Sequence, residues 1–239
     1  MGNVTHLFTT RQQLLIHLHM PKTGGTTLKK IIKKNYGKRK SVDVYVDREK
    51  LSYVLTNLSK RNIDCIQGHM PFGVHQFFNQ PGSYVTMLRD PVDRVLSDYY
   101  FIRSLPSHNL HSKVIKMSLE EYQKDPVNSN LQTHYILGEK FGEMLTKEDL
   151  EKAKSNLIHH FSVAGITERF DESISLMKKY WGWNNISYTK ANVTKGRLSK
   201  EEISRGIIDQ IETNNVFDIE LYHFAKELLE EKIRLLNIH

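Results

Sequence analysis

Lys22, the glycines Gly24 and Gly25, and the hydroxyls of Thr23, Thr26 and Thr27 crowd into one short stretch, His19-Met20-Pro21-Lys22-Thr23-Gly24-Gly25-Thr26-Thr27-Leu28. A lysine beside a glycine turn rich in hydroxyls is chemistry for an anion, because amide N–H groups and hydroxyls donate while the ammonium supplies charge. The apolar run Leu14-Leu15-Ile16-His17-Leu18 precedes the stretch and a basic helical pattern follows it. That is the layout of a strand, a phosphate loop and a helix N-terminus. The lysine stands before both glycines, so the order G-x-x-x-x-G-K-[ST] of nucleoside triphosphatases is absent. The pair Gly37-Lys38 is followed by Arg39, which leaves no Ser or Thr to ligate a phosphate-bound magnesium in the manner of that loop.

A second group of this kind lies in Met87-Leu88-Arg89-Asp90-Pro91-Val92-Asp93-Arg94-Val95-Leu96-Ser97-Asp98-Tyr99-Tyr100. Arg89, at the end of an apolar run, offers a planar fork suited to phosphate, and Ser97, two turns into the following helix, offers a hydroxyl to the same anion. Asp90 as cap, Pro91 at the first helical position and Asp93 in the first turn specify where that helix begins. Taken singly, Arg89 reads as an ion-pair partner and Ser97 as a packing serine.

The elements that must position these residues alternate short apolar runs with amphipathic ones, the rhythm of an α/β fold with a parallel sheet flanked by helices. Strands are expected at Leu14–His19, Ile63–Gln67, Tyr84–Leu88 and Phe161–Ile166. Helices are expected at Thr26–Tyr36, Arg48–Lys60, Pro91–Ser104, Lys147–His160, Asp171–Tyr180, Lys200–Thr213 and Ile219–Leu236, from apolar residues three and four apart. No repeat or linker divides the 239 residues, so one domain over residues 1–239 is expected.

The net charge of +7 suits anionic partners without naming one. Basic residues crowd Lys29 to Lys40, either as a channel for a polyanion or as a solvated helix face. Neither aromatic interleaving nor finger spacing supports nucleic-acid binding. His108 and His111 lack further ligands at metal spacing, and no metal is expected. Cys65, the single cysteine, cannot form an internal disulfide and reads as a packed strand residue. Trp181 and Trp183 read as core or edge packing rather than as a stacking platform. With no leader-like N-terminus and no bilayer-length apolar run, a cytoplasmic location without a membrane anchor is expected.

Together the two anion motifs resemble the sulfotransferases, in particular the branch of heparan sulfate 2-O-sulfotransferase and related carbohydrate sulfotransferases. The resemblance runs from Leu15 to Leu229 and includes Asn130-Leu131-Gln132-Thr133, Val163-Ala164-Gly165-Ile166-Thr167-Glu168-Arg169-Phe170 and Asp218-Ile219-Glu220-Leu221-Tyr222. It implies the P-loop-like sulfotransferase fold and the donor 3′-phosphoadenosine 5′-phosphosulfate (PAPS), with PAP as product. Lys22, Thr23, Gly24, Gly25, Thr26 and Thr27 would hold the 5′-phosphosulfate, and Arg89 with Ser97 the 3′-phosphate. His69, in Gln67-Gly68-His69-Met70-Pro71-Phe72, resembles the family's catalytic Gly-His and would be the general base, with Lys22 stabilising the leaving phosphate. Gln67 stands where some members carry a second histidine. Thr189–Arg197 resembles the late loop over the nucleotide, with Thr194, Lys195 and Arg197 as contacts. The acceptor would be a hydroxyl on a carbohydrate, an anionic glycan included, or on a small metabolite, chosen by loops such as Leu105–Val127. The alternatives are an ATP-dependent P-loop-like phosphotransferase and a non-catalytic binder of an anionic glycan or nucleotide. Oligomeric state is left open.

Overall fold

The computed structural model describes residues 13–189 and 196–238. Strands β1 (Leu14–Leu18), β2 (Ser41–Val44), β3 (Cys65–Gly68), β4 (Gly82–Leu88) and β5 (Phe161–Ile166) form a sheet in the order β2-β3-β1-β4-β5. Each neighbouring pair is parallel. Every residue of β1 is buried, which is why this central strand reads as a continuous apolar run rather than an alternation.

The helices are α1 (Gly25–Lys40), α2 (Arg48–Leu58), α3 (Pro91–Ser104), the short α4 (His111–Val114) and α5 (Leu119–Gln123), α6 (Leu131–Leu137), α7 (Lys147–His160), α8 (Phe170–Trp181), α9 (Arg205–Asn214) and α10 (Val216–Leu235). The expected strands and helices are present, with α3, α7 and β5 at the expected bounds. The short α4, α5 and α6 were not expected, and three further differences stand out. The stretch expected as one helix over Lys200–Thr213 is a short 3₁₀ turn, Lys200–Glu202, and then α9, because a Ser199–Glu202 capping box closes the turn and Ile203 and Ser204 are extended (ψ 140° and 139°). The strand β2 was not expected: only four residues long, it buries only Ser41 and Val44 and shows no period. Helix α1 runs past Tyr36 but kinks at Gly37 (φ 70°).

Asp90 caps α3 as expected, its carboxylate accepting from Asp93 N at 3.0 Å with Pro91 at the first position. The main core surrounds the sheet. A second cluster packs Val92, Val95, Leu96 and Tyr99 of α3 against Leu119 and Tyr122 of α5 and Ile208 and Ile211 of α9. At about 1.5–3 kcal/mol for each fully buried side chain, this cluster fixes α3 more strongly than the ion pairs at its N-terminal end. Strand order reverses beside β1, since the chain leaves it toward β2 and β3 while β4 lies on its other side. The loops after β1 and β4 therefore diverge and open a crevice at the carboxyl end of the sheet. Among the described residues no helix is long and apolar enough to cross a membrane.

Candidate anion-binding and catalytic cleft

The crevice is a cleft of about 720 Å³, the size of small-ligand sites. Lys22, Gly24, Gly25, Thr26 and Thr27 line it from the loop after β1 and the start of α1, Arg89 from the end of β4, Ser97 from α3, His69 from the end of β3, and Arg197 from the late segment. Two anion motifs more than sixty residues apart in sequence thus share one cavity with the histidine. Thr23 departs from its expected place: its side chain is fully buried and its hydroxyl donates to Met20 O at 3.0 Å, so it shapes the loop rather than facing the cleft. Thr194 and Lys195 lie outside the described residues.

Lys22 has left-handed backbone (φ 67°), unfavourable for a residue with a Cβ and characteristic of turns held by their surroundings. The hold comes from β4 and β5: Arg89 Nη1 donates to Lys22 O at 3.1 Å, and the Thr167 hydroxyl lies 2.7 Å from Thr23 O. The Lys22 ammonium rests 3.5 Å from the centroid of the Phe101 ring, on α3. Burial lowers its pKa to about 8; Asp98 opposes that shift, and Arg89 and Arg197 add to it.

Arg89 is positioned by its main chain. Gln132 clasps it on both sides, Oε1 accepting from Arg89 N and Nε2 donating to Arg89 O, each at 2.9 Å. Asp218 in turn holds the start of α6, accepting from Gln132 N at 3.0 Å and from Thr133 N and Oγ1 at 2.7 and 2.8 Å. The later motifs of the sequence are therefore scaffolding for the arginine. Arg89 Nε is buried with no hydrogen-bond partner, and Glu168 Oε1 stands 4.0 Å from it. Burial, then the neighbouring Arg197, depresses the guanidinium's pKa, so an anion at this place would relieve it. Arg197 pairs with Asp93, and Lys200 donates to Asp90 at 2.5 Å, which ties the late segment to the N-terminus of α3.

His69 is packed between two rings met edge to face, His19 at 4.8 Å and Tyr45 at 4.9 Å between centroids. His19 Nδ1 lies 2.8 Å from the Tyr45 hydroxyl, and its ring stacks on His17 at 5.3 Å. Burial pushes His19 to about 2 and His17 to about 3, so both stay neutral through the physiological range. His69 itself is exposed to the cleft, and partial desolvation of its ring by these neighbours lowers its pKa, with Lys29 adding to the effect and Asp98 opposing it. The second glycine of the loop is required by this cluster, since a Cβ on Gly25 would lie 2.0 Å from the His19 ring.

Of these neighbours, His19, Tyr45, Asp98, Phe101, His108, Phe170 and Tyr188 line the cleft but were not singled out in the sequence as site residues. His19 and Asp98 had a usable signal, each adjoining a motif. Tyr45 follows the unexpected β2 and had none. Lys29 reaches the cleft and pairs with Asp43 at 3.6 Å, as Lys33 does at 2.6 Å, so the basic stretch is in part a paired helix face. Trp181 and Trp183 pack in the core, and the buried Cys65 thiol is pushed up by desolvation. Among the described residues no group of His, Cys, Asp and Glu is arranged to hold a metal.

A model of the sulfotransferase family matches residues 5–225. Human heparan-sulfate 6-O-sulfotransferase 2 is 30% identical over 186 residues, 64% of this chain and 30% of the human protein. The heparin sulfate O-sulfotransferase of Drosophila melanogaster is 29% identical over 66% of this chain and 52% of its own length. The chain therefore spans between 30% and about half of the length of these curated relatives. The crystal structure of mouse sulfotransferase SULT7A1 complexed with PAP superimposes with a TM-score of 0.35 at 13% identity, over 92% of this chain and 90% of that one.

Proposed function

The chain belongs to the sulfotransferase family, and we propose that it transfers a sulfuryl group from PAPS to a hydroxyl of a carbohydrate. The observation that carries this reading is the meeting, in one cleft, of two separate cationic grips and a neutral imidazole. Two phosphate positions call for two grips, and the residues present fit them. Lys22, the Gly24 and Gly25 amides, Thr26 and Thr27 suit the 5′ end, while Arg89, Ser97 and Arg197 suit the 3′-phosphate, with the unpartnered Arg89 Nε as a donor in need of an acceptor. Phe170 and Tyr188, in edge contact at 4.9 Å, give the cleft an aromatic wall suited to a purine. Bound there, PAPS supplies a sulfuryl group on a phosphate leaving group.

The chain's own residues do the rest. The Lys22 ammonium keeps positive charge at the loop where negative charge builds during transfer. His69 takes the proton of the acceptor hydroxyl onto its unprotonated ring nitrogen, for which its depressed pKa keeps it ready at neutral pH. His19 is unsuited to that task, its Nδ1 tied to Tyr45 and its basicity lost to burial. An anionic glycan is the first acceptor to try: the relatives are named for heparan or heparin sulfate, and Lys29 adds a cation on the His69 side of the cleft.

Replacing His69 tests the reading. With PAPS as donor and desulfated heparan sulfate as acceptor, His69→Ala is expected to lose about 10²- to 10⁴-fold in transfer while PAP binds as before. Transfer at the unsubstituted rate would contradict the assignment of the base.

A further inference from the structure

The loop after β1 sets Lys22 among cations. Arg89, from the end of β4, bonds its carbonyl, Arg197 acts on it from the late segment, and its ammonium lies against an aromatic ring in a partly dry site. The two arginines and the partial burial favour loss of the Lys22 proton, whereas the ring and one carboxylate favour keeping it. Carboxylates do surround the cleft, but most are engaged. Asp90 receives Lys200, Asp93 receives Arg197 and Lys200, and Glu168 faces Arg89 and accepts from Tyr222 at 3.1 Å. Asp98 is different. It lines the cleft from α3, one turn before the Phe101 ring that carries Lys22, and its carboxylate accepts a hydrogen bond from a neutral group, the Tyr122 hydroxyl, at 3.0 Å.

A carboxylate is out of place in a cleft built for a dianion, where it repels the ligand. We propose that Asp98, its carboxylate steadied by Tyr122, is the counter-charge of this cleft, acting on the Lys22 ammonium across the shared cavity rather than through an ion pair and favouring its charged form until the donor arrives. The inference deepens the sulfotransferase reading, which supplies the reason the charge matters, but the charge itself is measurable without any ligand. Tyr122 is buried in the cluster that fixes α3, so the carboxylate is held on a rigid element. Its field reaches His69 as well, where it opposes the effect of Lys29, so one carboxylate acts on both groups assigned to the reaction.

The test is a pH titration of ¹³Cε-labelled lysines by NMR in the ligand-free full chain, with the Lys22 signal assigned by its disappearance in Lys22→Arg. Lys22 is expected to titrate near pH 8. Asp98→Asn, which preserves shape, is expected to lower that midpoint by about one unit, and Tyr122→Phe, which keeps the charge but frees the carboxylate, by a smaller amount. The other lysines should not move. An unchanged Lys22 midpoint in Asp98→Asn, or an equal shift of all lysines, would overturn the inference. PAP calorimetry on the same variants separates it from the donor reading: a shifted Lys22 in a chain that binds no PAP would sink that reading and leave Asp98's role standing.

Discussion

Partly buried against Phe101, Lys22 has its pKa lowered to about 8, and in the proposed site it would set the alkaline edge of anion binding. The sign follows from which form binds. The ammonium attracts the 5′-phosphate and the free amine does not, so PAP affinity should be level below about pH 7 and fall as pH rises through 8. Calorimetry across that range should show the fall in the unsubstituted chain and its loss in Lys22→Arg, where the charge cannot be titrated. A fall of equal size in Lys22→Arg would assign it to another group. His69 gives the opposite edge: its lowered pKa keeps it unprotonated at neutral pH, so transfer should decline only on the acid side of the ordinary histidine range.

At the scale of elements, β1 carries a liability that only the folded structure shows. His17 and His19 are neutral when folded, titrating near 3 and 2, against about 6.5 in an unfolded chain. The unfolded chain therefore takes up protons first as pH falls. Stability is full above about pH 6.5 and declines below it by about 1.4 kcal/mol per pH unit for each histidine, down toward pH 3. Urea midpoints at pH 7.5 and pH 5 should differ accordingly, and His17→Leu should remove about half of the difference; equal midpoints would show that the pair is not buried neutral. The same strand shows what a sequence can and cannot disclose. Leu14–Leu18, the loop after it and the Asp90–Pro91 helix start were legible because apolar runs, glycines and caps leave local marks. The strand β2 left none, since Ser41–Val44 becomes a strand only by lying beside β3. With β2 came Tyr45 and the packing of His69, which are contacts between distant segments. The inward turn of Thr23 was likewise invisible, because its hydroxyl is captured by Met20 O within the loop. Gln132 and Asp218 could be quoted as motif residues, but their work as a brace for Arg89 appears only where α6 and α10 meet the end of β4.

Across the whole molecule, the charge of +7 is put to use at one edge of the sheet, where Lys22, Lys29, Arg89 and Arg197 converge while other cations are spent on surface pairs such as Lys124–Glu120 and Arg205–Asp209. Exposed pairs of that kind contribute at most about 1 kcal/mol each, so the converging set is the arrangement with a consequence for ligands. The order β2-β3-β1-β4-β5 is what brings the two anion motifs together, since it seats β4 next to β1 with β3 on the far side. The measurement that tests this most directly is calorimetry of the purified chain with PAP and, separately, with ATP and magnesium, on the unsubstituted protein and on Arg89→Ala. Tight binding of PAP that weakens by about tenfold or more in Arg89→Ala, with little response to magnesium-ATP, is the expected result. No binding of PAP, or a preference for magnesium-ATP, would contradict it.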